Sequence, residues 1–109
     1  MVRHIVWWTL KGEKPENERK AEIGFILDAA NSLRDLPSLK SLEISATIEA
    51  STTVPCDLVL TTTHDSVEKL NEYQKDPIHK KFGELLKQYV DSRSCVDFSW
   101  QPVDTAHGK

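Results

Sequence analysis

The spacing between apolar residues changes along this chain, and the order of the changes constrains its fold more than any other feature. Between residues 23 and 33 the apolar side chains recur at helical spacing, whereas between 42 and 48 they alternate with polar residues, as in a half-buried strand. The patterns predict strands at 2–11, 39–48, 56–63 and 95–100 and helical segments at 15–36, 65–73 and 76–89. This order predicts a ferredoxin-like split β-α-β-β-α-β fold of the α+β class, a four-stranded antiparallel sheet with its helices on one face.

Proline and aspartate mark the ends of the helices. Leu36-Pro37 ends the first helix, because the residue before a proline is disfavoured in the α conformation. Asp65 and Glu68 have the three-residue spacing of a capping box, which predicts a helix start at Asp65. The second helical segment restarts at Asp76-Pro77, since aspartate is a good N-cap and proline suits the first helical position.

A sheet with all its helices on one face leaves the other face uncovered. In the predicted topology the first and third strands lie in the middle, and both carry apolar side chains on each face. Leaving such a patch in water costs about 25 cal/mol per Å² of apolar surface. We therefore expect a homodimer in which two protomers pack sheet to sheet, with Ile5, Trp7 and Val59 in the interface.

Length and charge exclude several classes of protein. The 109 residues have room for one domain, predicted at 1–101, with a flexible C-terminal tail at 102–109. A net charge of -3 provides no basic field for a phosphate backbone, so no nucleic-acid partner is expected. The longest apolar run near the N-terminus, Ile5 to Trp8, is far too short to span a membrane, so we expect no membrane association and a cytoplasmic location.

Glycine, cysteine and histidine spacings lack the motifs of common cofactor sites. The glycines are isolated and form no dinucleotide or phosphate-binding motif, so no cofactor is expected. Cys56 and Cys95 make no CxxC pair and are interpreted as two reduced, buried thiols. His4, His64 and His79 have no metal-binding spacing, and no metal site is predicted.

Residues 73–83 bring a phenol, an imidazole and a glycine to the predicted helix restart. At 100° per residue His79 projects within about 40° of Gly83, so the imidazole stands beside a position without a side chain, where a ligand has room. In the first helical turn the free N–H groups and the helix dipole disfavour a cationic ring, so His79 is expected to stay neutral and able to accept a proton. The alternative interpretation is that His79 and Tyr73 only pack and cap the helix.

Several short motifs are shared with a known family. They are Val2-Arg3-His4-Ile5-Val6, Leu36-Pro37, Asp65-Ser66 with Tyr73, Asp76-Pro77-Ile78-His79 with Phe82, and Val96-Asp97-Phe98. Over residues 2–100 the chain resembles the stress-responsive dimeric α/β-barrel (Dabb) domain family. The resemblance implies two protomers that pack their sheets into a shared barrel, each with a cavity between sheet and helices. Most members have no assigned reaction; one relative is a plant polyketide cyclase, and another is a heat-stable plant stress protein thought to be non-catalytic.

The resemblance also implies site residues. The catalytic histidine and tyrosine of the cyclase match His79 and Tyr73, and its first-strand histidine matches His4. The residues expected to line the ligand pocket are His4, Val6, Trp8, Phe25, Leu60, Thr62, Phe82, Gly83 and Cys95. At Trp8 and Thr62 the pocket wall differs from that of the cyclase, so the substrate of the cyclase is not carried over.

From this resemblance we expect a Dabb domain protein whose homodimer binds a small, largely apolar molecule between sheet and helices. One alternative is an acid-base enzyme, a polyketide-cyclase-like lyase, with His79 as the base and Tyr73 as the orienting acid. A second alternative is a monooxygenase-like dimeric α/β-barrel protein. Replacement of His79 distinguishes ligand binding from acid-base catalysis, because only an enzyme would lose turnover.

Overall fold

A computed structural model describes residues 1–101 of the chain, and the predicted tail at 102–109 lies outside the described residues. Its elements are β1 (Val2–Leu10), α1 (Glu16–Ala30), a 3-10 turn (Asn31–Leu33), β2 (Ser41–Ser45), β3 (Leu58–His64), α2 (Val67–Lys75), α3 (Pro77–Leu86) and β4 (Val90–Ser99). The predicted order of strands and helices is therefore confirmed. The second helical segment consists of two helices, separated by the extended residue Asp76.

The four strands form one antiparallel sheet in the order β2-β3-β1-β4. The first and third strands lie in the middle, as predicted. In the β1–β4 pair His4 lies directly opposite Asp97, and in the β1–β3 pair it lies opposite Thr62. The register thus brings residues from both ends of the chain, and from its middle, to one place on the sheet.

The core lies between the helices and one face of the sheet. Every second residue of β1, from Val2 to Leu10, is buried on that face. Ile26 and Ala30 of α1 are completely buried against it, as the helical spacing of the apolar residues predicts. The same two-residue period that buries Val6 also buries His4, so a titratable side chain lies within the apolar core.

A buried carboxylate ties the start of α1 to the end of β1. Glu22 forms ion pairs with Lys14 and Arg19, and the guanidinium of Arg19 also donates a hydrogen bond of 3.0 Å to the carbonyl of Lys11. Burial raises the pKa of Glu22, but the hydrogen bonds and charges of Lys14 and Arg19 outweigh burial and hold the pKa below its usual value. The connection between β1 and α1 is therefore held by a charged network.

Several boundaries differ from the predictions. The first helix ends at Ala30, followed by a 3-10 turn to Leu33, and does not extend to Leu36-Pro37; α3 ends at Leu86 and not at residue 89. The N-cap of α2 is Ser66, whose hydroxyl accepts a hydrogen bond from the Lys69 N–H at 3.2 Å; Asp65 pairs with Lys40 instead. β2 ends at Ser45 and does not reach residue 48. β4 starts at Val90 and not at Cys95, because an edge strand exposed to water has no need of the apolar alternation that the prediction relied on.

The cysteines also differ from the predictions. Cys56 is half-buried and Cys95 is exposed, and neither forms a disulfide. The prediction of two buried thiols is thus wrong for Cys95, which lies on the exposed edge strand β4.

The face of the sheet opposite the helices is apolar. Ile5, Trp7 and Val59 are half-buried there, and Val96 and Phe98 are 44% and 40% exposed. Arg3 lies on the same face, with its guanidinium carbon 4.3 Å from the centre of the Trp100 ring. No helix within residues 1–101 lies on this face, but the segment between β2 and β3 approaches it, since Ile48 and Val54 line a second cavity together with Trp7 and Val59. None of the helices in that range has the length and apolar character needed to cross a bilayer.

Candidate ligand cavity and histidine-tyrosine cluster

A cavity of about 480 Å³ lies between α3 and the sheet. Its lining residues are His4, Val6, Trp8, Leu60, Gln74, His79, Lys80, Phe82, Gly83, Glu84, Leu86, Lys87, Val90 and Arg93. The apolar side chains come from β1, β3, the inner face of α3 and the first residue of β4, whereas the charged ones are exposed and belong to α3, its C-cap and β4. The cavity is therefore apolar within and charged at its rim.

Six of the nine residues expected to line the ligand pocket line this cavity, and so does His79. The six are His4, Val6, Trp8, Leu60, Phe82 and Gly83. A Cβ atom added at Gly83 would meet no other atom within 4 Å. The missing side chain at Gly83 thus contributes directly to the open volume.

The structure places Phe25, Thr62 and Cys95 elsewhere. Phe25 is 51% exposed on α1, and its ring packs edge-on at 6.2 Å from Tyr89. Thr62 is completely buried and its hydroxyl is bonded to His64. Cys95 is exposed on β4, so none of the three is part of the cavity wall.

The helix restart determines the position of His79. Asp76 has an extended backbone, and its carboxylate accepts a hydrogen bond of 2.8 Å from the N–H of Ile78. His79 follows in the first turn of α3, half-buried, with a buried Nδ1 that has no hydrogen-bond partner among the described residues. Burial is the main cause that lowers the pKa of His79, while the interaction of its ring with the Gln74 backbone raises it. The imidazole is therefore neutral at neutral pH.

Tyr73 lies among three imidazoles. Its ring centre is 4.5 Å from that of His79, 4.9 Å from that of His64 and 6.4 Å from that of His4. The side chain is completely buried, and its hydroxyl has no hydrogen-bond partner within residues 1–101. Burial raises the pKa of Tyr73, so the phenol remains protonated. Tyr73 itself does not line the cavity, but it contacts two residues that do.

The third imidazole belongs to His64, one of the histidines whose spacing predicts no metal site. Its Nδ1 lies 2.7 Å from the Ser38 carbonyl, and its Nε2 lies 2.8 Å from the Thr62 hydroxyl. A carbonyl only accepts, so Nδ1–H donates to Ser38, and Nε2 of the neutral ring accepts from Thr62. Burial, the largest cause, lowers the pKa of His64. The two-residue period of β3, which places His64 on the face of Leu60 and Thr62, is the signal that locates it in this cluster.

His4 is oriented by a carboxylate on the neighbouring strand. Its Nδ1 is hydrogen-bonded to Oδ1 of Asp97, the residue directly opposite it in β4. The thiol of Cys95 lies 3.4 Å from the same Nδ1. These three donor atoms all lie within 4.8 Å of one another and are the group among residues 1–101 that is able to hold a metal ion.

Solved structures with similar folds were found in several organisms. A Dabb family protein with a ferredoxin-like fold from Mesorhizobium loti has 20% identity and a TM-score of 0.72, covering 93% of this chain and 97% of that one. A dimeric ferredoxin-like protein of unknown function from Thermobifida fusca has 19% identity and a TM-score of 0.74, covering 91% and 90%. A hydroxynitrile lyase from Passiflora edulis has 15% identity and a TM-score of 0.75, covering 94% and 95%. At these identities the similarity shows the ferredoxin-like fold.

The family assignment comes from the sequence. No curated protein matches the chain. Residues 2–100 match the model of the family described as the stress responsive A/B barrel domain, or Dabb, which is the family suggested by the short motifs. The match includes every strand and helix of the structure and all the residues that line the cavity. The chain therefore belongs to the stress-responsive A/B barrel domain (Dabb) family.

Proposed function

We propose that this protein binds a small, largely apolar molecule in the cavity between α3 and the sheet. The observation that carries the proposal is the cavity itself, whose volume of about 480 Å³ is within the range of small-molecule sites. Apolar side chains such as Val6, Trp8 and Phe82 supply most of its wall, and the imidazoles of His4 and His79 supply a few polar groups. Such a lining suits an apolar ligand with one or two oxygen atoms.

We propose further that the functional unit is a homodimer formed by the open faces of two sheets. Ile5, Trp7 and Val59, together with exposed Val96 and Phe98, form a contiguous apolar surface on the open face of the sheet. A second copy of the chain would remove this surface from water. Similar structures such as that from Thermobifida fusca are described as dimeric. The unpaired cysteines suit a reducing compartment, so we propose the cytoplasm as the location.

Acid-base catalysis is a second candidate function, favoured by one specific observation. The buried Nδ1 of His79 has no partner, and the ring beside it belongs to Tyr73, whose buried hydroxyl also has none. A neutral imidazole next to a protonated phenol is an arrangement of base and acid. The similar structure from Passiflora edulis is by name a lyase. No side chain within residues 1–101 specifically favours the monooxygenase-like alternative.

Filling the cavity tests the binding function. We would measure binding of the fluorescent apolar probe anilinonaphthalene sulfonate to the parent protein and to Gly83→Leu, whose new side chain would extend into the cavity. Because overpacking costs about 1–3 kcal/mol, we expect binding to weaken about tenfold or more. Gly24→Leu is the matched control, since Gly24 is an exposed helical glycine outside the cavity. Equal binding by Gly83→Leu and the parent would refute the proposal.

A model reaction tests the second candidate. Ring opening of nitrobenzisoxazole needs only a base and reports an accessible neutral imidazole in an apolar cavity. We expect the parent protein to accelerate it with a rate that falls when His79 is protonated below its ordinary pKa of 6.5. His79→Gln should remove the acceleration, while Gly24→Leu should retain it. If His79→Gln reacts as fast as the parent, His79 is not the base.

A further inference from the structure

Three side chains of different chemistry converge at the edge of the sheet beside the cavity. The thiol sulfur of Cys95 lies 3.4 Å from His4 Nδ1 and 3.5 Å from Asp97 Oδ1. His4 Nδ1 and Asp97 Oδ1 are in direct hydrogen-bond contact. A nitrogen, a sulfur and an oxygen atom thus form a compact triangle.

Strand register explains why these residues meet. His4 is the direct partner of Asp97 in the antiparallel β1–β4 pair. Cys95 is two residues before Asp97, so both side chains project from the same face of β4. His4 is 1% exposed and held within the core, whereas Cys95 and Asp97 are exposed. The site has one rigid member and two members that are free to adjust and open to solvent.

The geometry differs from that of a nucleophilic Cys-His-Asp triad. In such a triad the thiol and the carboxylate contact opposite nitrogens of the imidazole, so that a proton can pass along the line. Here both contact the same Nδ1 atom. The three atoms therefore surround a common point, which is the arrangement of ligands around a metal ion.

The distances suit a tetrahedral zinc ion. With Zn–S near 2.3 Å and Zn–N and Zn–O near 2.0–2.1 Å, two ligand atoms of a tetrahedron that include sulfur are about 3.5 Å apart. The two contacts of Cys95 already have this length. Only the His4–Asp97 pair must widen, by a movement of the exposed Asp97 side chain, which is 41% accessible.

Charge also suits a divalent ion. A thiolate and a carboxylate together balance the two positive charges of Zn²⁺, and sulfur with imidazole nitrogen is a preferred donor set for zinc. Arg93, on the same side of β4, opposes a cation by repulsion. Burial raises the pKa of the Cys95 thiol, and Asp97 raises it further, whereas Arg93 acts in the opposite direction. Binding of the ion would thus release the thiol proton to the solvent.

We propose that His4, Cys95 and Asp97 bind Zn²⁺ through Nδ1, Sγ and Oδ1, leaving a fourth coordination position for water or another small ligand. On binding, the proton of the neutral His4 ring resides on Nε2, and the thiol of Cys95 becomes a thiolate. The site shares His4 with the cavity wall, whereas Cys95 and Asp97 do not line the cavity, so zinc binding is tested without any cavity ligand.

The test measures Zn²⁺ affinity by competition with a chromophoric chelator, for the full chain and for Cys95→Ser and Asp97→Asn. Replacing a residue that only supports a metal ligand already lowers metal affinity about 10- to 100-fold. Because Cys95 is proposed as a ligand itself, we expect Cys95→Ser to lower the Zn²⁺ affinity by roughly 100-fold or more. For Asp97→Asn we expect about tenfold, because the amide oxygen is a weaker neutral ligand. Cys56→Ser is the matched control, since Cys56 is the other free thiol and lies away from the cluster.

Co²⁺ reports directly whether the sulfur of Cys95 binds the metal, which a purely structural role of Cys95 would not produce. Co²⁺ bound at this site should show a thiolate-to-metal charge-transfer band in the near ultraviolet that is retained in Cys56→Ser and lost in Cys95→Ser. Circular dichroism establishes that each variant is folded, as expected for substitutions at exposed positions. A parent protein that binds no Zn²⁺ at micromolar concentration overturns the proposal. So does zinc binding that Cys95→Ser leaves unchanged.

Discussion

The ring of Tyr73 lies 4.5 Å from the ring of His79, centre to centre, although the two residues belong to different helices. Six residues apart in one continuous helix, they would project about 120° from each other and could not touch. The extended conformation of Asp76 interrupts the helix between them and lets the second helix change direction. The contact between phenol and imidazole is therefore a product of the helix restart.

The buried hydroxyl of Tyr73 leads to a prediction about stability. An unpaired buried hydroxyl costs about 1–3 kcal/mol, so removing it should stabilise the fold. We expect Tyr73→Phe to raise the free energy of unfolding by about 1 kcal/mol in urea titrations. Tyr89→Phe, at a half-buried position, should change it by less than about 0.5 kcal/mol. A Tyr73→Phe protein less stable than the parent would show that the hydroxyl has a partner.

The histidines should make stability depend on pH. Burial holds the pKa of His79 below its ordinary value of 6.5, with Asp76 raising it and His4 and Arg93 lowering it. As pH falls below 6.5, the unfolded chain takes up a proton before the folded one does, so the free energy of unfolding decreases. His64 acts with the same sign. We expect a decrease that begins below about pH 6.5, measured by urea unfolding at several pH values.

His79→Gln provides the matched variant for this pH dependence, because it keeps a polar side chain of similar size but does not titrate. It should reduce the slope of stability against pH without abolishing it, since His64 remains. An unchanged slope would mean that His79 has the same pKa in the folded and unfolded chain.

Glu22 should contribute much more to stability than an exposed glutamate does. Glu22→Gln removes the carboxylate that pairs with Lys14 and Arg19, leaving two cations beside a buried amide. We expect a loss of about 1–3 kcal/mol at neutral pH. Because the pKa of Glu22 is lowered, the contribution in the parent should disappear as pH falls through that pKa. Glu84→Gln breaks only the exposed pair with Lys87 and should cost less than about 0.5 kcal/mol.

The proposed dimer predicts a difference between two faces of the molecule. Ile5→Asp places a charge on the open face of the sheet and should convert the dimer to a monomer in sedimentation experiments at micromolar concentration. Phe25→Asp changes an equally apolar residue that is 51% exposed on α1, and it should leave the dimer intact. A parent protein that sediments as a monomer would exclude the dimer.

The fold could be predicted almost completely, but the site only in part. Apolar residues that recur every two positions identify the strands, and those that recur every 3.6 positions identify the helices. These spacings arise because each element buries one face. They failed at the start of β4, where an exposed edge strand carries no such period. The family resemblance predicts Phe25 in the pocket, but in the structure its side chain is exposed on α1 and packs against Tyr89. A family pattern gives the position of a residue in a helix, not its final contacts.

The sequence by itself determined the order of elements, the apolar faces and the helix restart at Asp76-Pro77, because each depends on residues within a few positions of one another. Only the tertiary structure decided that Tyr73 lies among three imidazoles, and that Cys95 and Asp97 meet His4 from the other end of the chain. The physical reason is that strand register and helix packing result from the fit of the whole core, which no local period encodes.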